Sequence, residues 1–294
     1  MDVIIGQIFA GLSVGSVLLL AALGLALTFG QMGIINMAHG EFLMIGAYTV
    51  FVIQMVIPDA GIALAVAIPA SFLVAGTFGL LLEELLLRRL YVRPLDTLLV
   101  TFGVSLILQQ LARDIFGAPA VEVRAPDWLL GSIDFFGTTF PMSRLFIIGV
   151  SLSVVALLSA VLAFTPLGRR IRAVVLNRDL AEVSGISSRS VDRLTFFIGS
   201  GVAGIAGVAL TLIGSTGPTL GNSYIVDAFL IVVAGGVGKI AGSVIAAFTL
   251  GILQATVEYQ TSPSIGKIVV FVVIIVFLQI RPQGIFSFKT RSLA

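Results

Sequence analysis

Three polar side chains stand close together in the apolar stretch GIINMAHGEFLMIGAY, Gly33 to Tyr48: Asn36, His39 and Glu41. An imidazole two residues from a carboxylate could serve as an acid–base pair, ligate a metal, or border a path for a polar solute. Composition removes the first two. His39 is the only histidine and the chain has no cysteine, so neither a histidine-based nor a thiolate metal site can be assembled. No nucleophile, base and orienting group are set out together either, which argues against an intramembrane enzyme. An ionised carboxylate deep in a membrane helix costs roughly 2.5–3.5 kcal/mol, so Glu41 is expected to meet a partner or a polar cavity. Two compatible readings follow. In one, Asn36 caps a helix, Gly40 permits close helix contact and Glu41 bonds to a neighbour. In the other, the three line or gate a polar path.

A second polar group lies in DTLLVTFGVSLILQQ, where Thr101, Ser105 and Gln109 recur every four residues and so share one helix face. The stripe serves either interhelical hydrogen bonding or the wall of a path for a small polar solute. Asp227 is a further intramembrane acid; Glu258 falls near the end of its segment. Gly199, Ala203 and Gly207, like Gly11 and Gly15, make small-residue stripes suited to close packing. The run GGVGKIA, Gly235 to Ala241, has the spacing of a dinucleotide fingerprint but no strand–helix unit around it, and Val233 with Ile240 after Lys239 excludes a P-loop. The expectation is a glycine-rich turn, no nucleotide motif, and no cofactor in this chain.

The elements that position these groups follow from composition. The chain is 58% hydrophobic and 11% charged, with mean hydropathy +1.13. A soluble domain is about 25% charged, so this chain could not cover itself with polar side chains. Net charge is +2, which makes no case for nucleic acid. Apolar segments fall at about 3–29, 33–57, 61–82, 96–116, 144–165, 194–214, 225–238, 241–259 and 267–281, most near the roughly 20 residues a spanning helix needs. The reading is an all-α polytopic protein of about eight or nine transmembrane helices in one membrane domain, 1–294. The first segment lacks the positive flank of a cleaved signal.

Basic residues set the orientation. Arg88, Arg89 and Arg93, the 166–193 connection, and Arg281, Lys289 and Arg291 all fall on one side if the N-terminus is outside and the C-terminus cytoplasmic. The more acidic 117–143 loop, with Trp128 suited to an interface, is then outside. Two segments read as broken or short: 33–57, and 225–238 with Asp227. They stand second and seventh in the series and cross in opposite directions. That suggests inverted repeats, whose interrupted helices mark a transport site.

The connection 166–193, PLGRRIRAVVLNRDLAEVSGISSRSVDR, places Ile171, Val174, Val175 and Leu176 among basic residues. A short helix is expected over 179–186, starting at Asp179 and stopping at Gly185. It either lies at the lipid headgroups or docks on a cytoplasmic partner.

Taken in order, INMAHGEF, GRRIRAVVLNRDLAEVSGI and AGGVGKIAGSVIAA resemble the membrane permease of the branched-chain amino acid type of ABC importer over nearly the whole chain. LDTLLVTFGVSLILQQ, IGSTGPTLGNSYIVDAF and RPQGIF are most similar to the urea-transport branch, which often has Asn where this chain has Lys239. The resemblance implies a second, usually non-identical permease and two cytoplasmic ATPases that consume the ATP. It also implies a periplasmic or surface solute-binding protein and a place in the bacterial inner membrane. It assigns coupling to Ala181, Glu182 and Gly185, with Gly168 to Arg172, including Arg169 and Arg172, just upstream. Urea or a short amide is the expected cargo, with Asn36, Thr101, Ser105 and Gln109 replacing its water. Asp227 is counted with the Asn36–Glu41 group on the path. The alternatives are the same machine carrying branched-chain amino acids, and a passive channel, which would have no use for a coupling helix.

Overall fold

The computed structural model describes residues 2–91, 93–135 and 138–286; Lys289 and Arg291 lie outside the described residues. Eight of its helices are long and apolar enough to cross a membrane. They are α1 (Asp2–Met32), α2 (His39–Val56), α3 (Ala60–Leu85), α4 (Pro94–Phe116), α5 (Met142–Phe164), α8 (Ser188–Leu210), α10 (Ile240–Gln260) and α11 (Pro263–Ile280). Between α5 and α8 come the short α6 (Pro166–Leu176) and α7 (Arg178–Val183), and α9 (Asn222–Gly235) precedes α10. The polytopic all-α architecture is as expected, with α9 as the short ninth segment. The acidic 117–143 loop contains a hairpin of β1 (Ser132–Phe135) and β2 (Thr138–Pro141).

Helix α1 is the axis of the bundle, buried on all sides from Val17 to Leu27. It packs chiefly on α10 and α8, while α3 packs chiefly on α8. Hydrocarbon is as apolar as leucine, so close backbone approach rather than hydrophobic exclusion holds such helices together. Accordingly Gly11 and Gly15 lie against Ile252 and Ala247 of α10, and Gly76 and Gly79 against Phe197 and Ser200 of α8.

The pairing is reciprocal. If α1–α4 and α8–α11 are two related sets, the first helix of each packs on the third of the other, and like helices meet on an axis. Gly24 of α1 faces Gly199 of α8, and Gly40 of α2 faces Gly221 at the start of α9. This is the reciprocity that a two-fold relation between two such sets would produce.

The segment 33–57 is not one helix. Residues 33–38 are non-helical and α2 begins only at His39. Gly33 has φ +66°, the left-handed conformation that reverses the chain after α1. Ala21, which His39 contacts, lies eleven residues before the end of α1 at Met32, roughly 16 Å along the helix. The chain therefore climbs back into the bundle before helix resumes. Non-helical backbone at that depth is tolerated only when protein groups satisfy it.

The connection 166–193 is two helices and the start of α8, not one loop. Thr165 caps α6, and Asn177, not Asp179, caps α7 by accepting from the Leu180 N–H at 2.9 Å. Gly185 ends α7 as expected. With φ +81°, its N–H bonds Glu182 O, and the Ile186 N–H bonds Ala181 O, which is a Schellman closure.

Candidate functional site: the junction of α2 and α9

The interrupted start of α2 is held by α4. Thr101, Ser105 and Gln109 all turn inward and are buried, as is Thr97 one turn earlier. Thr101 Oγ1 accepts from the Met37 N–H at 3.1 Å, satisfying a backbone group the non-helical segment leaves open. Ser105 Oγ and Gln109 Nε2 both donate to Glu41 Oε1 at 2.8 Å. Gln109 Nε2 also lies 3.0 Å from Ser105 Oγ and 3.3 Å from Asn222 Oδ1 in α9. One carboxylate thus ties α2 to α4, and through Gln109 to α9. Asn222 was missed in the sequence; its only signal was its place beside Gly221.

Glu41 has 0% exposure and no cation among its hydrogen-bond partners. Helix geometry explains its presence. It occupies the first turn of α2, and a Cβ on Gly221 would stand 2.9 Å from the Glu41 N atom, so the start of α9 lies against the start of α2. Two helix N-termini, each with about half a positive charge, therefore meet beside this residue.

The expected trio is divided. Asn36 does not cap α2: Ala38 holds the N-cap position with no side-chain cap. Asn36 Oδ1 instead accepts from the Ala38 N–H at 3.0 Å, fixing the turn before the helix. His39 points away from Glu41, its Nε2 lying 3.1 Å from Ala21 O. A carbonyl only accepts, so that nitrogen carries the proton. Gly24 makes room for the ring, since a Cβ there would sit 3.0 Å from His39 Cε1. Asp227 is also elsewhere. It lies five residues past Asn222, roughly 140° around the helix, and pairs with Lys267 of α11 at 3.4 Å.

At the C-terminal end of α5, the residues expected to couple to a partner make distinct contacts. Arg172 Nη1 donates to Leu162 O at 2.7 Å, binding α6 to the end of α5. Ala181 is buried with Ile171, Val174 and Val191. Glu182 accepts from Ser188 Oγ. Arg169 is exposed, and so are the apolar Leu176, Leu180 and Val183 at 81%, 63% and 88%. The structure adds residues the sequence reading missed. Arg178 of α7 pairs with buried Asp192 of α8, which also accepts from Gln31 of α1 at 2.8 Å. The Arg178 guanidinium lies over Tyr91, 5.5 Å from its ring centre, and the Tyr91 hydroxyl donates to Glu83 Oε1 at 2.6 Å. Burial first, and that bond second, raise the Tyr91 phenol well above its usual range. Arg189 and Arg193 clasp Glu84, each at 3.0 Å. The short α7 is thereby tied to α1, α3 and α8 at once.

Interrupted helices meeting inside a bundle of spanning helices, with a compact helical appendage at one end, define a membrane transport subunit. The chain belongs to the family described as branched-chain amino acid transport system / permease component, which matches residues 7–278. It is 29% identical to the high-affinity branched-chain amino acid transport permease LivH of Salmonella typhimurium, over 95% of this chain and 94% of the relative. It is equally similar, over the same shares, to the corresponding permease BraD of Pseudomonas aeruginosa. It is 24% identical to a probable LivH of Methanocaldococcus jannaschii, over 92% of this chain and 88% of the relative. No solved structure matches. These relatives are transport permeases, not enzymes, and their names specify branched-chain amino acids; the expected urea branch gains no support from them.

Proposed function

We propose that this chain forms, with a second permease, the path by which an ATP-driven importer of the inner membrane takes up a branched-chain amino acid, and that the Glu41 junction is the gate of that path. The observation that carries the reading is the meeting of α2 and α9 at Gly40 and Gly221, locked by Glu41, Ser105, Gln109 and Asn222. In this arrangement the gate is shut, since Glu41, Ser105 and Gln109 are at most 4% exposed. Parting α4 from α2 would open two positive helix ends, which suit a substrate carboxylate. Urea offers no such charge. The hydroxyl and amide groups that suggested urea are already engaged, Ser105 and Gln109 on Glu41 and Thr101 on Met37. In this reading Asn36 holds the hinge turn and His39 fixes α2 to α1.

The driving force enters through α7. Two cytoplasmic ATPases, binding and hydrolysing ATP, press on the surface that includes Leu180, Glu182 and Val183. Gly185 ends the lever, Ala181 seats it, and Arg169 and Arg172 flank it. A solute-binding protein delivers cargo at the opposite end, by the hairpin. The N-terminus is then outside and the C-terminus cytoplasmic.

The test is uptake by the complete importer, with partner permease, ATPases and binding protein, in proteoliposomes. ATP-dependent accumulation of leucine, isoleucine or valine is expected. ATP-driven uptake of urea without leucine would overturn the amino acid assignment, and downhill flux indifferent to ATP would show a channel.

A further inference from the structure

On the side of α9 away from the Glu41 junction, α1, α5, α9, α10, α11 and the chain just after α8 line a partly open cavity of about 270 Å³. It is close to the lower end of ligand pockets, about 300–1,000 Å³, and suits a small metabolite. Its walls combine both signs of charge with aliphatic surface. Arg144, Asp227 and Lys267 reach it, beside Val17, Leu18 and Ile213. Asp227 and Lys267 form an ion pair through Oδ2 at 3.4 Å, so Oδ1 can still accept from an ammonium. Arg144, in the first turn of α5, forms no ion pair or side-chain hydrogen bond among the described residues. The Arg144 side chain is half-buried, and a guanidinium is the side chain best shaped for a carboxylate.

We infer that this cavity is a binding pocket for a zwitterionic amino acid with an aliphatic side chain, its carboxylate on Arg144, its ammonium on Asp227 and its side chain against Val17, Leu18 and Ile213. The inference rests on the amino acid import reading and adds a site to it. A zwitterion loses water from two charges on entering a bundle, and this pocket supplies one group of each sign to replace it. Asp227 and Lys267 already answer each other, so a sugar or urea would leave the Arg144 charge without a counter-charge. Access is provided by a second cavity, of about 670 Å³, that shares Val14 and Arg144 and runs to Thr139 in the hairpin. The pocket therefore opens at the end of the molecule opposite α6 and α7, where cargo would arrive. Asp227 serves here, not at the Glu41 gate.

The experiment is leucine uptake by the complete importer in proteoliposomes, alongside ATP hydrolysis stimulated by loaded binding protein. Arg144→Gln and Asp227→Asn are each expected to lower uptake at subsaturating leucine by about tenfold or more, the worth of one charge-assisted hydrogen bond, with hydrolysis retained. Should Asp227→Asn fail to assemble because Lys267 is stranded, Arg144→Gln, which strands no partner, decides. The exchange Asp227→Lys with Lys267→Asp is expected to stay impaired, and full rescue would show that the pair is only structural. Wild-type uptake in Arg144→Gln would overturn the pocket while leaving import intact. A wild-type importer that assembles yet carries no leucine would overturn the import reading itself.

Discussion

Gly40 and Gly221 touch backbone to backbone. A Cβ on Gly40 would lie 2.7 Å from the Gly221 carbonyl oxygen, and one on Gly221 would lie 2.4 Å from the Gly40 carbonyl carbon. Neither neighbour is a flexible side chain, so neither can give way. Gly221→Ala has no backbone strain to overcome, its φ being −57°, and isolates the contact. It is expected to push α9 off α2, cost about 1–3 kcal/mol and abolish uptake. Thermal unfolding in detergent, read beside transport, checks this; unchanged values for both would show that the two helices do not meet there.

Glu41 can be separated into its charge and its bonds. Glu41→Gln keeps an oxygen for Ser105 and Gln109 and should hold stability within about 1 kcal/mol. Glu41→Ala strands both donors in a buried site and should cost roughly 2–4 kcal/mol. If the carboxylate charge sets the gate against the two helix N-termini, Glu41→Gln changes transport rate while leaving the melting temperature nearly alone. Equal destabilisation by the two substitutions would count against the bond assignment.

Arg178 joins α7 to buried Asp192. Removing a partner from a fully buried pair costs about 3–5 kcal/mol; the Arg178 side chain is 39% exposed, so roughly 2 kcal/mol is expected for Arg178→Ala after allowing for solvent screening. The more telling readout is the ratio of solute carried to ATP hydrolysed. It should fall in Arg178→Ala and recover in part with Arg178→Lys.

Gly185 tests the end of the lever without touching its packing. Nothing lies within 4 Å of a Cβ built there, so Gly185→Ala meets only the cost of a left-handed backbone, about 1–2 kcal/mol. Gly185→Asn should cost less, because Asn tolerates that conformation. Uncoupled ATP hydrolysis is expected to follow the same order, Ala worse than Asn. The reverse order would place the effect elsewhere than in the Schellman turn.

Much of this architecture was legible in the residues. Hydropathy placed every spanning helix, because lipid demands runs of apolar residues whatever they pack against. The four-residue spacing of Thr101, Ser105 and Gln109 correctly put them on one face, and the glycine stripes correctly announced close packing. Gly185 announced its own turn. These are local properties, set by helical period and by backbone freedom.

What only the tertiary structure decided is which groups meet. Asn36, His39 and Glu41 are neighbours in sequence, yet the turn before α2 keeps Asn36, α1 takes His39 and α4 takes Glu41. Asp227, which was grouped with them as an intramembrane acid, is carried by the turn of α9 to Lys267 and the cavity beside α1. The network from Arg178 to Asp192 and Gln31 draws on three helices separated by up to 161 positions, and no local pattern encodes it. By itself the sequence determined that this is a helical membrane protein, where its spanning helices lie, and which of them are short or interrupted, because those follow from transfer of each residue into hydrocarbon. Partner choice inside the bundle is a matter of depth and rotation, and those are set by helix against helix.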